Sequence, residues 1–194
     1  MGNNSSTGGY LVENPAPAPL PMEGQDLSRF LQQLVVGITG LDGTFVRPRW
    51  QPTPPAQPDV STDWCAIGIV LRTPDDNPVL WHDSTGNGQD MLMRHEELEI
   101  LASFYGPNCQ DFASQLRDGV YLGQNRENLL INDMGLVGVG EIQAVPELIN
   151  QQWVNRCDVK VTIRRQIRRT YPVLNLLTAS GTIETAVITE TFQT

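Results

Sequence analysis

His82-Asp83 and His95-Glu96 are the places in this chain where residue types and spacing come nearest to chemistry. They hold its two histidines, each with an acid beside it. An imidazole next to a carboxylate can ligate a metal or move a proton, provided further groups converge on it. A metal site would need both imidazoles and a carboxylate at one point. His95, however, shares a strand face with Glu97 and Glu99, where it reads as a solvated polar residue. The loop Gly86-Asn87-Gly88 has neither the lysine nor the following helix of a phosphate cradle. GxSxG and HExxH do not occur. Cys65, Cys109 and Cys157 are odd in number, far apart and without CxxC spacing. They read as reduced, packed thiols from a cytosolic folding environment. These residues predict no catalytic site, no metal and no cofactor.

A second constellation is electrostatic. Between Arg156 and Arg169 stand six basic residues and one acid, a net of +5; the rest of the chain has seven basic residues against 21 acids, a net of −14. An acidic body repels nucleic acid and anionic lipid at long range, so neither sequence-specific nucleic-acid binding nor a membrane is expected. Lys160 is the only lysine among the 13 basic residues. Arginine is the better interface residue because its planar fork pairs carboxylates bidentately. Two readings stand side by side: a solvated strand face paired to acidic neighbours, or a docking surface for an acidic partner. On the second, Arg156, Lys160, Arg164, Arg165, Arg168 and Arg169 are the candidate contacts with another chain.

These cations need an element to hold them. From Gln152 to Tyr171 the odd positions, among them Trp153, Cys157, Val159, Val161, Ile163, Ile167 and Tyr171, are mostly apolar, and the even ones Arg156, Asp158, Lys160, Thr162, Arg164, Gln166 and Arg168 are polar or charged. That period of two predicts one long strand with a buried face and a wet face. Fully extended it would span about 65 Å. A compact domain of this size is only about 40 Å across. The strand is therefore expected to bend or to project beyond its core, and from Arg164 onward both its faces carry arginine.

Around it, residues 1–25 read as a flexible arm, polar in GNNSSTGG and polyproline-like in PAPAPLP. Residues 26–194 read as a single domain, and 194 residues at 40% hydrophobic content suffice for a real core. A helix is predicted over 26–38, stopped by Gly40. The proline-dense segment 48–58 follows, with Trp50 as its anchor. Strands are predicted at 63–72, 79–82 and 90–105. Helices are predicted over 107–122, with Pro107 in the first turn, and from an Asn125 cap to Gly135. Then come a strand over 136–145 with Gly138 and Gly140 marking a bulge, the long strand, and a last one over 182–192 after a turn at Ser180-Gly181. Hairpin-style neighbours make this an α+β domain: a mostly antiparallel sheet with helices packed on one face and long protruding strands. No apolar run is long enough to span a bilayer, and the N-terminus lacks the pattern of a signal peptide.

Several blocks are distinctive together: ITGLDGTFVRPRWQPTPP (38–55), DWCAIGIV (63–70), the stretch from Met91 to Leu129 containing SFYGPN and QNRE, and residues 149–177 ending in RRTYPVLNLL. In these the chain resembles the neck or tail-terminator proteins of tailed bacteriophages, chiefly the contractile-tailed ones. The resemblance implies a non-enzymatic virion protein made in the bacterial cytoplasm. It implies a ring, typically a homohexamer, that caps the tail tube and joins the tail to the head. The implied partners are further copies of the chain, the tail tube protein, the head-side connector or collar protein and, as a further candidate, the tail sheath. A head-closure (stopper) ring is the alternative within that class. A soluble non-viral enzyme or regulatory module is the alternative outside it.

Overall fold

The computed structural model describes residues 3–14, 20–53, 55–149, 151–178, 180–184 and 189–193, the last two stretches by backbone alone. Its contacts gather into two units. The larger comprises 21–78 and 94–167, the smaller 1–20, 79–93 and 168–194. Where the sequence reading drew an arm and one domain, residues 79–93 and everything after 167 group with the arm.

The larger unit starts with helix α1, Gly24–Thr39. Leu27, Leu31 and Val35 recur every fourth residue and are buried together. Gly40 ends the helix in a left-handed conformation, its N–H donating to the Val36 carbonyl at 2.9 Å. Strand β1 (Val46–Pro48) lies parallel to β2 (Trp64–Pro74). Between them Trp50, the expected anchor, is 78% exposed at a positive φ of 61°. Strand β3 (Val79–Asp83) and the 17-residue β4 (Gln89–Tyr105) follow.

Helix α2 runs Cys109–Gly119, so Pro107 stands outside its first turn. The Asp63 carboxylate accepts from the Asn108 N–H at 2.9 Å and from its side chain at 2.8 Å, fixing the helix start. Helix α3 (Gly123–Ile131) contains Asn125 rather than being capped by it; that side chain donates to the Gly119 carbonyl at 2.8 Å. Strand β5 (Met134–Val139) carries the expected bulge, between Leu136 and Gly138. Short strands β6 (Gln143–Ala144), β7 (Glu147–Ile149) and β8 (Gln152–Val154) lead to β9, Arg156–Tyr171.

The predicted single strand over 152–171 is thus two, broken at Asn155. The break shifts the alternation by one residue, so Trp153 is 69% exposed while Val154 is buried. Ser180 and Gly181 begin strand β10 (Ser180–Glu184), antiparallel to β11 (Thr189–Gln193), where the sequence reading had a turn and one strand.

In the larger unit the sheet order is β1-β2-β4-β9-β5, with β6 also on β9. Every neighbouring pair with a described register is antiparallel except β1 with β2. Leu98, Ile100, Ala102 and Phe104 of β4 and Cys157, Val159, Val161 and Ile163 of β9 form one core with residues from all three helices. The fold is α+β, as expected. In the smaller unit β3 pairs antiparallel with the first residues of β4, Val79 opposite Met93 and Asp83 opposite Gln89.

Candidate functional site

The six cations of β9 share one strand, but their surroundings differ. Arg165 has the phase of Ile163 and Ile167, so the pleat turns it into the core, where it is 2% exposed. The sequence reading took Arg165 with its neighbours as a candidate contact with another chain; in the structure it turns into the core of its own chain. Arg165 Nε donates to Glu96 Oε1 at 2.6 Å, Nη2 to Glu23 Oε1 at 2.5 Å, and Nη1 to the Met22 carbonyl at 2.5 Å. Glu96, also buried, has the phase of Leu98 and Ile100. One buried guanidinium thus joins β9, β4 and the entry to α1. Arg72 Nη1 adds a bond to Glu23 Oε2 at 2.8 Å. Burial pushes the Glu23 carboxyl up, but the hydrogen bonds and charges of Arg72 and Arg165 together outweigh it and hold it below the usual carboxylate range.

The even-numbered cations lie on the opposite face. Lys160 Nζ is 2.8 Å from Glu99 Oε1. Arg164 spans Asp75 at 3.0 Å and Glu97 at 3.5 Å, and His95 approaches Asp75 at 3.7 Å. Basic residues of β9 therefore oppose acidic ones of its neighbour β4, as opposite charges across strands prefer. Arg168 is exposed, and Arg169 pairs with Glu13.

Arg156 closes the series at the start of β9. It forms a two-pronged bond to Asp158, both contacts 2.8 Å, and a further bond to Glu147. Its guanidinium lies over the Tyr105 ring at 5.6 Å, Tyr105 stacks on Trp64 at 4.2 Å, and Arg47 lies over Trp64 at 5.7 Å. This cation–ring–ring–cation column anchors one end of the strand. The Asp158 hydrogen bond is the leading cause that raises the Arg156 pKa above its ordinary value.

Among the described residues no group of three or more His, Cys, Asp and Glu side chains could hold a metal. His82 meets Asp90 at 2.7 Å and Asn175 at 2.8 Å, while His95 meets Asp75, so the two histidines serve different neighbours. No described helix is long and apolar enough to cross a membrane.

Sequence reasoning missed Glu96 and Glu23 as partners of Arg165. For Glu96 the signal was present: an acid in the phase of Leu98 and Ile100 must be buried, and a buried carboxylate needs a cation. Nothing local marks Glu23.

The family described as phage neck terminator protein matches residues 25–189 of the chain. Comparison with curated proteins gives no match.

Proposed function

The chain belongs to the phage neck terminator protein family, and on that premise we propose that it caps the tail tube as a homohexameric ring and joins the tail to the head connector. The family gives it a structural role in the phage neck, and such a role suggests no catalysis. The match across 25–189, which takes in both long strands, is the observation that carries the reading.

Physical reasoning supports the finer role. A tube grows by head-to-tail stacking, a contact with no intrinsic end. A terminator must offer one face that accepts the last tube ring and another that refuses further subunits. The sheet path of the larger unit ends at β1 and β5, and terminal strands can pair with a neighbour's strands to close a ring. Lys160, Arg164 and Arg168 are exposed cations on one strand. Exposed ion pairs contribute about 0–1 kcal/mol, so carboxylates of a partner can replace Asp75, Glu97 and Glu99 beside Lys160 and Arg164 at little cost.

Cryo-EM of intact particles tests the reading, with six copies expected at the head-proximal end of the tail. Density in the baseplate or the capsid shell would refute it. Binding of the purified protein to tail-less heads and not to tubes would transfer the role to a head-closure ring. Arg164→Ser with Arg168→Ser should leave a folded chain that fails to stop tube growth. Arg165 is unsuitable for that test, because its loss strands Glu96 in the core.

A further inference from the structure

Cys109 and Cys157 face each other with their Sγ atoms 3.2 Å apart. Cys109 opens α2 and Cys157 lies in β9, and the side chains are 5% and 6% exposed. Their separation is about 1.2 Å more than the sulfur–sulfur bond of a disulfide. Both line a cavity of about 250 Å³, together with Pro107, Gln110, Ala144 and Arg156. Such a volume admits a molecule the size of water or peroxide. Cys65, fully buried, is not part of the pair.

We propose that Cys109 and Cys157 form a redox modification site, which hydrogen peroxide converts into a disulfide joining α2 to β9. Peroxide first oxidises one thiol to a sulfenic acid and leaves as water. The facing thiol then attacks that sulfur, the S–S bond forms, and the hydroxyl departs as a second water. Two electrons pass from the sulfur pair to the peroxide, and both thiol protons end in the waters. With the second sulfur already in place, the sulfenic acid is captured before it can oxidise further. Burial, then the Cys157 hydrogen bond, push the Cys109 thiol up to about 12, so thiolate is scarce near neutrality and the reaction is slow.

Slow closure suits a protein that folds in a reducing cytoplasm and meets oxidants after release. That consequence rests on the neck role, whereas the chemistry does not. The bond would cross-link residues 48 positions apart and remove entropy from the unfolded chain.

The full-length native chain, treated with hydrogen peroxide at neutral pH and then denatured and alkylated, tests the site. Its intact mass should fall by two hydrogens before alkylation, with Cys65 left as the alkylatable thiol. Peptide mapping should link 109 to 157, and the Tm should rise by about 10 °C, reversed by dithiothreitol. Cys65→Ser should behave identically, and Cys109→Ser should lose the link. A sulfinic acid on either residue without a link, a link through Cys65, or three alkylatable thiols after long exposure would each overturn the proposal. Because the test uses the isolated chain, its failure leaves the neck reading standing, and the reverse holds too.

Discussion

The larger and smaller units are held together by different physics. The larger unit contains every buried apolar residue among those whose side chains are described, and it sets a buried ion network within that core. In the smaller unit Thr170 is the only described side chain that is buried. There the hairpin of β3 exposes Val79, Leu80 and Trp81, and hydrogen bonds do the fastening. Asn175 donates to the Ser84 and Gly86 carbonyls at 2.9 and 3.1 Å, and accepts from His82. Its backbone N–H reaches the Asn87 carbonyl at 2.8 Å. In the arm, Asn14 N–H donates to the Thr170 carbonyl at 2.8 Å and Ser5 N–H to that of Pro172 at 3.2 Å. Burial of apolar area is strong and non-directional, whereas a solvated hydrogen bond contributes about 0.5–1.5 kcal/mol. The larger unit has an apolar core of its own. The smaller, among its described residues, relies on hydrogen bonds in place of such a core.

The largest expected effect lies in the larger unit. Arg165→Ala should cost about 3–5 kcal/mol in a denaturant melt, because Glu96 is left buried and unpaired. Replacing the pair together, Arg165→Met with Glu96→Leu, should recover most of it. A single-mutant loss below 1 kcal/mol would show that water reaches the network.

The contrast between the units is sharpest in truncations. Phe104→Ala should cost about 3–5 kcal/mol. Leu80→Ala, on the exposed hairpin, should stay within about 0.5 kcal/mol. Equal losses would dissolve the distinction. Hydrogen exchange then reads it along single strands: amides at 89–93 of β4 should exchange about 100-fold faster than those at 98–104.

The smallest effect is a pH dependence of the hairpin. The Asn175 amide is oriented by its two donated bonds, so it offers His82 an oxygen, and Asp90 offers another. A ring with acceptors at both nitrogens favours its doubly protonated form. The Asn175 hydrogen bond first, then Asp90, raise the His82 pKa. The stabilisation is therefore complete below the unfolded value near 6.5 and is lost as pH rises through the higher folded one. NMR titration should find His82 above 6.5, with amide protection in 82–90 falling as it deprotonates. A value at or below 6.5 would remove the switch. Glu23 works in the opposite sense: its carboxyl is held low, so its contribution is lost as pH falls through the folded value.

Much of this was legible along the chain. Period-two stretches located β4 and β9, an apolar run ended by a turn located β2, helical spacing located α1, and Gly40 stopped it where expected. Asn125 misled because a good capping residue inside a helix can equally bond the preceding turn, here at Gly119. Trp153 misled because periodicity ignores a one-residue break, and the break at Asn155 reverses the phase. Of the candidate contacts, the sequence named all six cations but could not rank them. Arg165 and Arg164 are adjacent and chemically identical, and the pleat alone sends one inward and the other out.

By itself the sequence determined the fold class, the long strands, the charge segregation and the blocks that carry the family likeness. Each of these is a local pattern, written in neighbours a few residues apart. Tertiary structure alone decided that Glu23 meets Arg165 across 142 positions, that Cys109 meets Cys157, and that residues 79–93 group with the arm and the C-terminal segment. Such pairings depend on which strands become neighbours. That choice belongs to the core as a whole, and no short stretch of chain encodes it.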